Sequence, residues 1–565
     1  MSEKRAESAA PKPRGIRQTM SDLHIWAGLL LGWMLYAMFL TGTVSYFKNE
    51  ISQWARPELA HQASVPDPAD VAQRVAGELG RLAAGSSQWS IGLPSARENT
   101  AEAFWRLASA QPGQRRFGQA TFDPATGHKV TARDTTGGEF FYRFHFQFHY
   151  MPVLWGRWLA GLAAMFMLVA IVSGVITHKK IFTDFFTFRW AKGQRSWLDA
   201  HNALSVFGLP FHLMITYTGL VTLMALYMPY GERLAFKTPQ ERQQLTRELN
   251  AFIQPGKPSG RAAELAPVAD MVRQAQALWG RDNIARVTIT LPGDAASRVA
   301  VARGEEGRAS MSPQYLLFEG SSGRLLETHD SVGPAAETRG VMYALHLGRF
   351  GDTVTRWLYF LVSLAGTAMV GTGLVMWTVK RRRKLPDPAR PHLGFRLVER
   401  LNIATIAGLS IAMATFLWSN RLLPGTLAQR GEWEIHAFFI AWALALAHAV
   451  LRPPRRAWIE LLWVGAAMLA LLPVLNMLTT DRPLWRSIAE GDWVFAGMDL
   501  VLWALAALHV KLALRTARHK APVPRGAQSP RTKAPAPAGE RTVPSVPRTT
   551  FDATHGATPS QDALR

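Results

Sequence analysis

The 565-residue chain contains no cysteine. This absence excludes disulfide bonds, iron–sulfur clusters and covalently attached c-type haem. A redox cofactor would therefore have to be held by histidine, methionine or non-covalent contacts. A Rossmann-type glycine fingerprint for a nicotinamide or flavin is also missing. No cleavable signal peptide is expected, because the first apolar run, Ile25 to Phe47, is longer than a signal h-region.

The chain is strongly basic, with 63 Lys and Arg against 41 Asp and Glu and a net charge of +22. Nucleic-acid binding is not expected from this charge, because the basic residues form short blocks beside long apolar runs. Such blocks follow the positive-inside rule and suit anionic lipid headgroups. The charge pattern therefore indicates a lipid bilayer as partner and no nucleic acid.

Long apolar runs dominate the composition, which is 48% hydrophobic. Each run has the length that a helix needs to cross the hydrocarbon layer of a bilayer. The sequence therefore predicts a mainly α polytopic membrane protein with about eight transmembrane helices. The predicted spans are 24–47, 155–178, 199–228, 355–379, 397–418, 435–451, 458–478 and 493–514.

The basic blocks predict the orientation of these spans. If all eight are real, the blocks before span one and after spans two, four and six fall on one side of the membrane. Both termini are then cytoplasmic. Segments 48–154 and 229–354 lie on the other side, and each contains enough strand and helix signals for a small α+β domain.

The first four spans form an internal repeat. His24 is followed by Thr41-Gly42 at the same spacing that separates His201 from Thr218-Gly219. The predicted organisation is a basic cytoplasmic N-terminus (1–23), a first repeat (24–178), a second repeat (199–385), a four-helix C-terminal membrane module (397–514) and a disordered cytoplasmic tail (515–565). Each repeat contains a helix, an outside domain and a return helix. The return helices match through Ser173-Gly174 and Thr372-Gly373.

Histidines near the span ends are the candidate functional residues, because an imidazole in lipid is costly unless it is paired or ligated. Two neutral imidazoles from facing helices can ligate a b-type haem. His201 and His212 are eleven residues apart, which places them within about 20° on one helix face and about 16 Å apart in depth. The candidate ligands are His24, His149, His178, His201, His212 and His346, with His145 as the alternative to His149.

The histidines also allow interpretations that involve no cofactor. A single histidine at a helix end is more often an interface residue that hydrogen-bonds to backbone or headgroups. His145 and His149, spaced i,i+4, would also suit a metal pair or simple amphipathic packing.

Several segments resemble the PepSY-associated transmembrane helix family of bacterial iron-regulated membrane proteins. They are DLHIWAGLLLG at 22–32, DAHNALSVFGLPFHLMITYTGL at 199–220 and LHLGRFGDTVTRWLYFLVSLAG at 345–366. The outside segments carry PepSY-like ends, TFDPATGHKV at 121–130 and YLLFEGSSGRLL at 315–326. The similarity covers about residues 20–385.

The resemblance implies an inner-membrane ferrisiderophore reductase with two PepSY-like periplasmic domains and two b-type haems in the first four spans. It implies electron delivery to a ferric siderophore on the periplasmic side. The donor would be a separate cytoplasmic reductase or a membrane quinol.

The rival hypothesis is a non-redox protein, either a transporter or a PepSY-type regulator of peptidases, whose histidines handle protons or metal. A third hypothesis is a protein that handles haem or copper without reducing a ferric chelate.

Overall fold

The computed structural model describes residues 15–59, 66–107, 116–178, 181–186, 194–249 and 256–519. The chain divides into a compact unit, Met1–Ala517, and a second unit, Arg518–Arg565. Only the first two residues of the second unit are described. The basic N-terminus predicted at 1–23 and the tail predicted at 515–565 therefore lie largely outside the described residues.

The first repeat runs from a bent membrane helix through an extramembrane segment to a straight return helix. Its elements are α1 (Ile16–Leu30), α2 (Gly32–Ser45), α3 (Lys48–Trp54), α4 (Pro68–Leu82), β1 (Gln88–Gly92), β2 (Ala101–Arg106), β3 (Phe117–Phe122), β4 (Lys129–Val130), α5 (Gly138–Gln147), α6 (Val153–Thr177) and α7 (Ile181–Phe185). The return helix is α6.

The second repeat has the same order of a bent helix pair, an extramembrane segment and a return helix. Its elements are α8 (Gln194–Phe207), α9 (Leu209–Thr222), α10 (Met224–Tyr227), α11 (Pro229–Ala235), α12 (Pro239–Leu249), α13 (Val268–Trp279), β5 (Ile284–Thr290), β6 (Arg298–Arg303), β7 (Tyr315–Glu319), β8 (Leu325–His329), α14 (Pro334–Leu347) and α15 (Thr353–Arg382). Here α8 and α9 form the bent pair, and α15 is the return helix.

The C-terminal module is helical throughout. It contains α16 (Leu393–Leu422), α17 (Arg430–Leu451), α18 (Pro454–Thr479), α19 (Leu484–Ala489) and α20 (Trp493–Arg518). Among the described residues, six helices are long and apolar enough to cross a membrane, or eight if each bent pair counts as one span. The chain is thus a multi-pass membrane protein.

Spans one and three, expected to be continuous, are each broken in the middle. The axes of α1 and α2 differ by 65°, and those of α8 and α9 differ by 67°. Pro210 in the first turn of α9 contributes to the second break, because it cannot donate a backbone hydrogen bond to the preceding turn. At the first break Gly32 packs closely on α15: a Cβ there would lie 2.7 Å from Cδ2 of Leu374.

The two extramembrane segments, expected to form two small domains, share a single sheet. The eight strands run in the order β4-β3-β2-β1-β5-β6-β7-β8, and all pairings are antiparallel. At the seam between β1 and β5, Ile91 lies opposite Val287. Pairing at the seam satisfies backbone groups that would otherwise form two exposed sheet edges.

One face of this sheet is covered by α4 and α13, which pack together in a common core. Fully buried members of that core include Val71, Val75, Leu79, Met271, Val287, Ile289, Val301 and Phe318. Side chains alternate along a strand, so the neighbours of these residues point toward the membrane helices. That second face carries small residues, Gly92, Ala300 and Ala302, together with Arg286.

A buried polar network attaches the C-terminal module to the first half. Thr135 donates to Glu434 at 2.5 Å, and Asn420 donates to the same carboxylate at 2.8 Å. Arg430 forms an ion pair with Glu434 at 2.5 Å, with both side chains at most 1% exposed. A buried ion pair needs such additional hydrogen bonds to offset its desolvation cost.

Candidate functional site: two histidine pairs

The end of the helix bundle away from the sheet holds the far-side pair, His24 on α1 and His201 on α8. Their ring centres are 6.2 Å apart, with ring planes at 75°. His24 donates from Nδ1 to the carbonyl of Ala170 at 2.7 Å. His201 donates from Nδ1 to the carbonyl of Met369 at 2.9 Å, with the Thr372 hydroxyl at 3.3 Å. Each ring is thus oriented by the return helix of its own repeat.

The sheet-side pair consists of His145 on α5 and His346 on α14. Their ring centres are also 6.2 Å apart, with planes at 30°. His145 donates from Nδ1 to the carbonyl of Met38 at 2.7 Å. A backbone hydrogen bond joins His346 to Ile215, and its Nδ1 lies 3.1 Å from the Thr218 hydroxyl. Each repeat therefore supplies one ring to each pair.

The hydrogen bonds determine which ring nitrogen is free. A carbonyl oxygen can only accept, so Nδ1 carries the proton in His24, His145 and His201. The same holds for His346, since the Thr218 hydroxyl already donates to the carbonyl of Met214 at 2.7 Å. Nε2 then presents its lone pair in all four rings, as a neutral imidazole ligand requires.

The glycines of the repeated Ser/Thr-Gly motif make room for these rings. A Cβ on Gly42 would lie 2.7 Å from Nδ1 of His145. The other motif glycines do the same for the remaining rings: Gly174 for His24 at 3.1 Å, Gly219 for His346 at 2.9 Å and Gly373 for His201 at 3.2 Å. A larger residue at any of these positions would displace a histidine.

The separation within each pair suits two imidazoles bound to one metal ion. Each nitrogen would lie about 2 Å from the ion, and the centre of a five-membered ring lies about 1 Å beyond its nitrogen. The sum is a centre-to-centre distance of about 6 Å. No cluster of three or more His, Cys, Asp or Glu in the described ranges could hold a bare ion. Each pair of imidazoles would therefore hold a haem iron rather than a structural zinc ion, which needs four protein ligands.

A cavity of about 1080 Å³ lies between the sheet-side pair and the sheet. His145 and His346 line its floor, while Gly92 and Arg286 belong to its roof. Burial lowers the pKa of His145 below its usual value and lowers that of His346 to about 3. Both rings are therefore neutral near pH 7.

Basic side chains surround this cavity. They are Lys48, Arg97, Arg157, Arg286, Arg303, Arg308 and Arg349. Three of them have carboxylate partners: Lys48 with Glu139, Arg97 with Glu50 and Arg349 with Glu305. Within the described ranges the other four form no ion pair. For example, Arg303 donates to the amide of Gln314 at 2.8 Å.

His149, the first choice from sequence, does not face another candidate ligand; His145 does. The i,i+4 relation between them is lost because α5 ends at Gln147 and Phe148 has a φ of 55°. His149 instead stacks on Phe439, with ring centres 5.7 Å apart.

His178 and His212 also lie outside the two pairs. His178 accepts a hydrogen bond at Nε2 from the amide of Asn202 at 2.9 Å, which occupies the nitrogen that a ligand would use. His212 is 1% exposed and lies 3.4 Å from the carbonyl of Val362 on α15. The expected common face of His201 and His212 does not exist, because the bend at Gly208 separates them.

Comparison with known proteins finds a family match that covers the two repeats. Residues 21–380 match the family described as the PepSY-associated TM region. The chain is similar to Uncharacterized protein PA4219 of Pseudomonas aeruginosa, with 28% identity over 385 residues, 65% of this chain and 92% of that protein. The helices from Leu393 onward lie beyond the family match.

Proposed function

The chain belongs to the PepSY-associated transmembrane family, and from this premise we propose that it is a dihaem b-type oxidoreductase of the bacterial inner membrane that reduces ferric siderophores. The observation that carries the proposal is the duplicated histidine pair. Two pairs with the same 6.2 Å separation lie at opposite ends of the bundle. Two such sites would connect the two sides of a membrane.

His24 and His201 would hold one haem, and His145 and His346 the other. Bound haem would supply one-electron redox chemistry. The chain itself fixes each ring through a backbone carbonyl and keeps it neutral through burial. The hydrogen bond to the carbonyl orients the ring and raises its basicity as a ligand, and burial disfavours the protonated form that could not bind a metal.

The proposed orientation places the sheet in the periplasm and both termini in the cytoplasm. Lys380 to Lys384, five consecutive basic residues, lie at the end of α15 away from the sheet. Positive residues of this kind favour the cytoplasmic side.

The cavity under the sheet would receive the ferric chelate. Near this cavity Arg349 pairs with Glu305 and Arg356 with Glu50, whereas Arg157 donates to the amide oxygen of Gln147 at 3.3 Å. Arg157 would therefore attract an anionic chelate together with Arg286, Arg303 and Arg308. Reduction would loosen a hard oxygen-ligand cage, because ferrous iron binds such ligands less tightly. The electron donor would be a cytoplasmic reductase or a membrane quinol.

The proposal is tested first by haem content and then by reduction of a ferric chelate. We expect purified protein from haem-replete cells to carry two haems per chain, with a dithionite-reduced b-type α-band. A His201→Ala variant should retain one. The reduced wild-type protein should convert ferric siderophore to ferrous iron, detected with a ferrous-specific chelator.

A folded, colourless wild-type protein would contradict the proposal and favour the transporter or regulator hypothesis. A haem-loaded protein that does not reduce the chelate would favour the haem-handling hypothesis.

A further inference from the structure

The connection between α5 and α6 is unusually strained for a segment without glycine. Phe148 and Tyr150 have φ values of 55° and 57°. A non-glycine residue is rarely found in this region and persists there where surrounding contacts enforce it. This backbone conformation places His149 and Tyr150 against the first turns of α17.

Polar and aromatic groups meet at this position. Tyr150 stacks on His436 with ring centres 5.7 Å apart, and its hydroxyl shares a hydrogen bond with Nδ1 of that histidine. His149 stacks on Phe439 and lies 4.4 Å from the Tyr150 ring. The charge of Glu432 also acts on His149, whose pKa burial lowers below its usual value.

This cluster opens in two directions. Inward it lines a cavity of about 1120 Å³ that His149, Tyr150 and Glu432 share with the underside of the sheet. Outward it lies among exposed apolar side chains of α6 and α17, including Leu154 and Ile440, each 55% exposed. We call the space bounded by residues 148–155 and 432–440 the lateral cleft.

The exposed tryptophans indicate the depth of the lateral cleft. Trp155 is 65% exposed and Trp433 is 49% exposed, one on each side of the cluster. Tryptophan prefers the interface between headgroups and hydrocarbon. A ligand that lies in the bilayer could therefore enter the cleft sideways, with its head at the cluster and its tail along the apolar flanks.

The chemistry of the lateral cleft selects among amphiphilic ligands. Stacked rings favour a flat aromatic head, since aromatic pairs attract each other beyond the effect of the area that they bury. His149 and Tyr150 can donate to or accept from ring oxygens. Segments 148–155 and 432–440 themselves contain no lysine or arginine, so neither wall of the lateral cleft offers a phosphate headgroup a cationic partner. The basic side chains of the adjoining cavity, Lys48, Arg56, Arg143 and Arg286, belong to its other walls.

We infer that the lateral cleft binds the head of a membrane quinol or quinone, with its ring oxygens hydrogen-bonded to His149 and Tyr150. The inference goes beyond the proposed function, because the lateral cleft adds a quinol or quinone site on the sheet side, the side on which the chelate cavity lies. Binding itself depends on the cleft and not on haem.

Binding is tested with decylubiquinone and the full-length protein in nanodiscs by calorimetry. We expect at least a tenfold rise in Kd for His149→Ala and for Tyr150→Phe, because each loses a hydrogen-bonding group. His448→Ala is the matched control: His448 lies on the same helix α17 but pairs with Glu460 at 2.8 Å near its other end. If His149→Ala does not fold, His149→Phe retains a ring and should show the same loss of affinity.

An azido-quinone probe locates the site independently, and its crosslinks should fall within 148–155 or 432–440. Crosslinks elsewhere, or a rise in Kd below tenfold in both cleft variants, would overturn the inference. So would displacement of the probe by added phospholipid to the same extent in wild type and His149→Ala. A colourless protein that binds decylubiquinone would refute the haem proposal alone, and a haem-loaded protein that does not bind it would refute this one alone.

Discussion

At the scale of single residues, two histidines four positions apart have different surroundings. His145 faces His346 across 6.2 Å, whereas His149 stacks on Phe439. We therefore expect His145→Ala to lower the haem content from two to one per chain and His149→Ala to leave it at two. The pyridine haemochrome assay measures both. Equal losses in the two variants would contradict the assignment.

The buried imidazole of His212 leads to a second prediction. It corresponds in the repeat to Leu35, and its Nδ1 has no hydrogen-bond partner among the described residues. Replacing a buried, poorly satisfied polar group by an apolar one of similar size is close to neutral or stabilising. His212→Leu should therefore keep both haems and the thermal stability of the wild type. Loss of one haem on the same assay would make His212 a ligand.

The sequence was sufficient to find the histidines but not to pair them. Spacing and depth predicted ligand sites at both ends of the first four spans, including His24, His201 and His346. Choosing His145 over His149 required knowing that α5 ends at Gln147. That end depends on the positive φ of Phe148, which side-chain pattern alone does not reveal. Two of the motif glycines were a usable signal, because Gly42 follows His24 and Gly219 follows His201 at the same spacing.

At the scale of elements, the fit between a motif glycine and a ring is a specific test. In Gly42→Leu the new side chain would occupy the space of the His145 ring, since a Cβ would already lie 2.7 Å from its Nδ1. We expect this variant to lose one haem while remaining membrane-inserted. Gly28→Leu is the control, because no atom lies within 4 Å of a Cβ at that position. A haem content of two in Gly42→Leu would show that the ring moves freely.

The membrane helices were predictable because hydropathy and length determine them. The breaks within spans one and three were not predictable in this way, although Gly208 and Pro210 are residues that often occur where a helix ends. A break in a membrane helix needs neighbouring packing to satisfy its backbone groups. That packing depends on tertiary contacts, such as that between Gly32 and Leu374.

At the scale of the whole molecule, the seam between β1 and β5 joins the two halves outside the bilayer. Ser90 lies opposite Thr288 on one side and Phe104 on the other. A proline at this central position would remove a ladder donor, which leaves a buried acceptor unpaired at a cost of about 1–3 kcal/mol. Ser90→Pro should raise hydrogen–deuterium exchange roughly tenfold or more in both flanking strands.

The edge strand offers the control for the seam. Glu327 on β8 pairs only with β7, opposite Leu317. Glu327→Pro should affect exchange in β7 and leave β5 unchanged. Faster exchange confined to β1 in Ser90→Pro would mean that the halves are stable separately. No sequence signal indicated that the strands of the two segments pair with each other, because that pairing is a long-range contact.

The seam also has a consequence for biosynthesis. Ile91 can pair with Val287 only after the ribosome has added the 196 residues that follow Ile91 up to that position. At about 5–20 residues per second of translation, the first four strands have an unpaired edge for roughly 10–40 seconds. During that interval β1 is a template for pairing with any other exposed strand. Cells that make this protein should therefore need a chaperone on the sheet side of the membrane, and slowing translation between residues 92 and 284 should increase aggregation of the nascent chain.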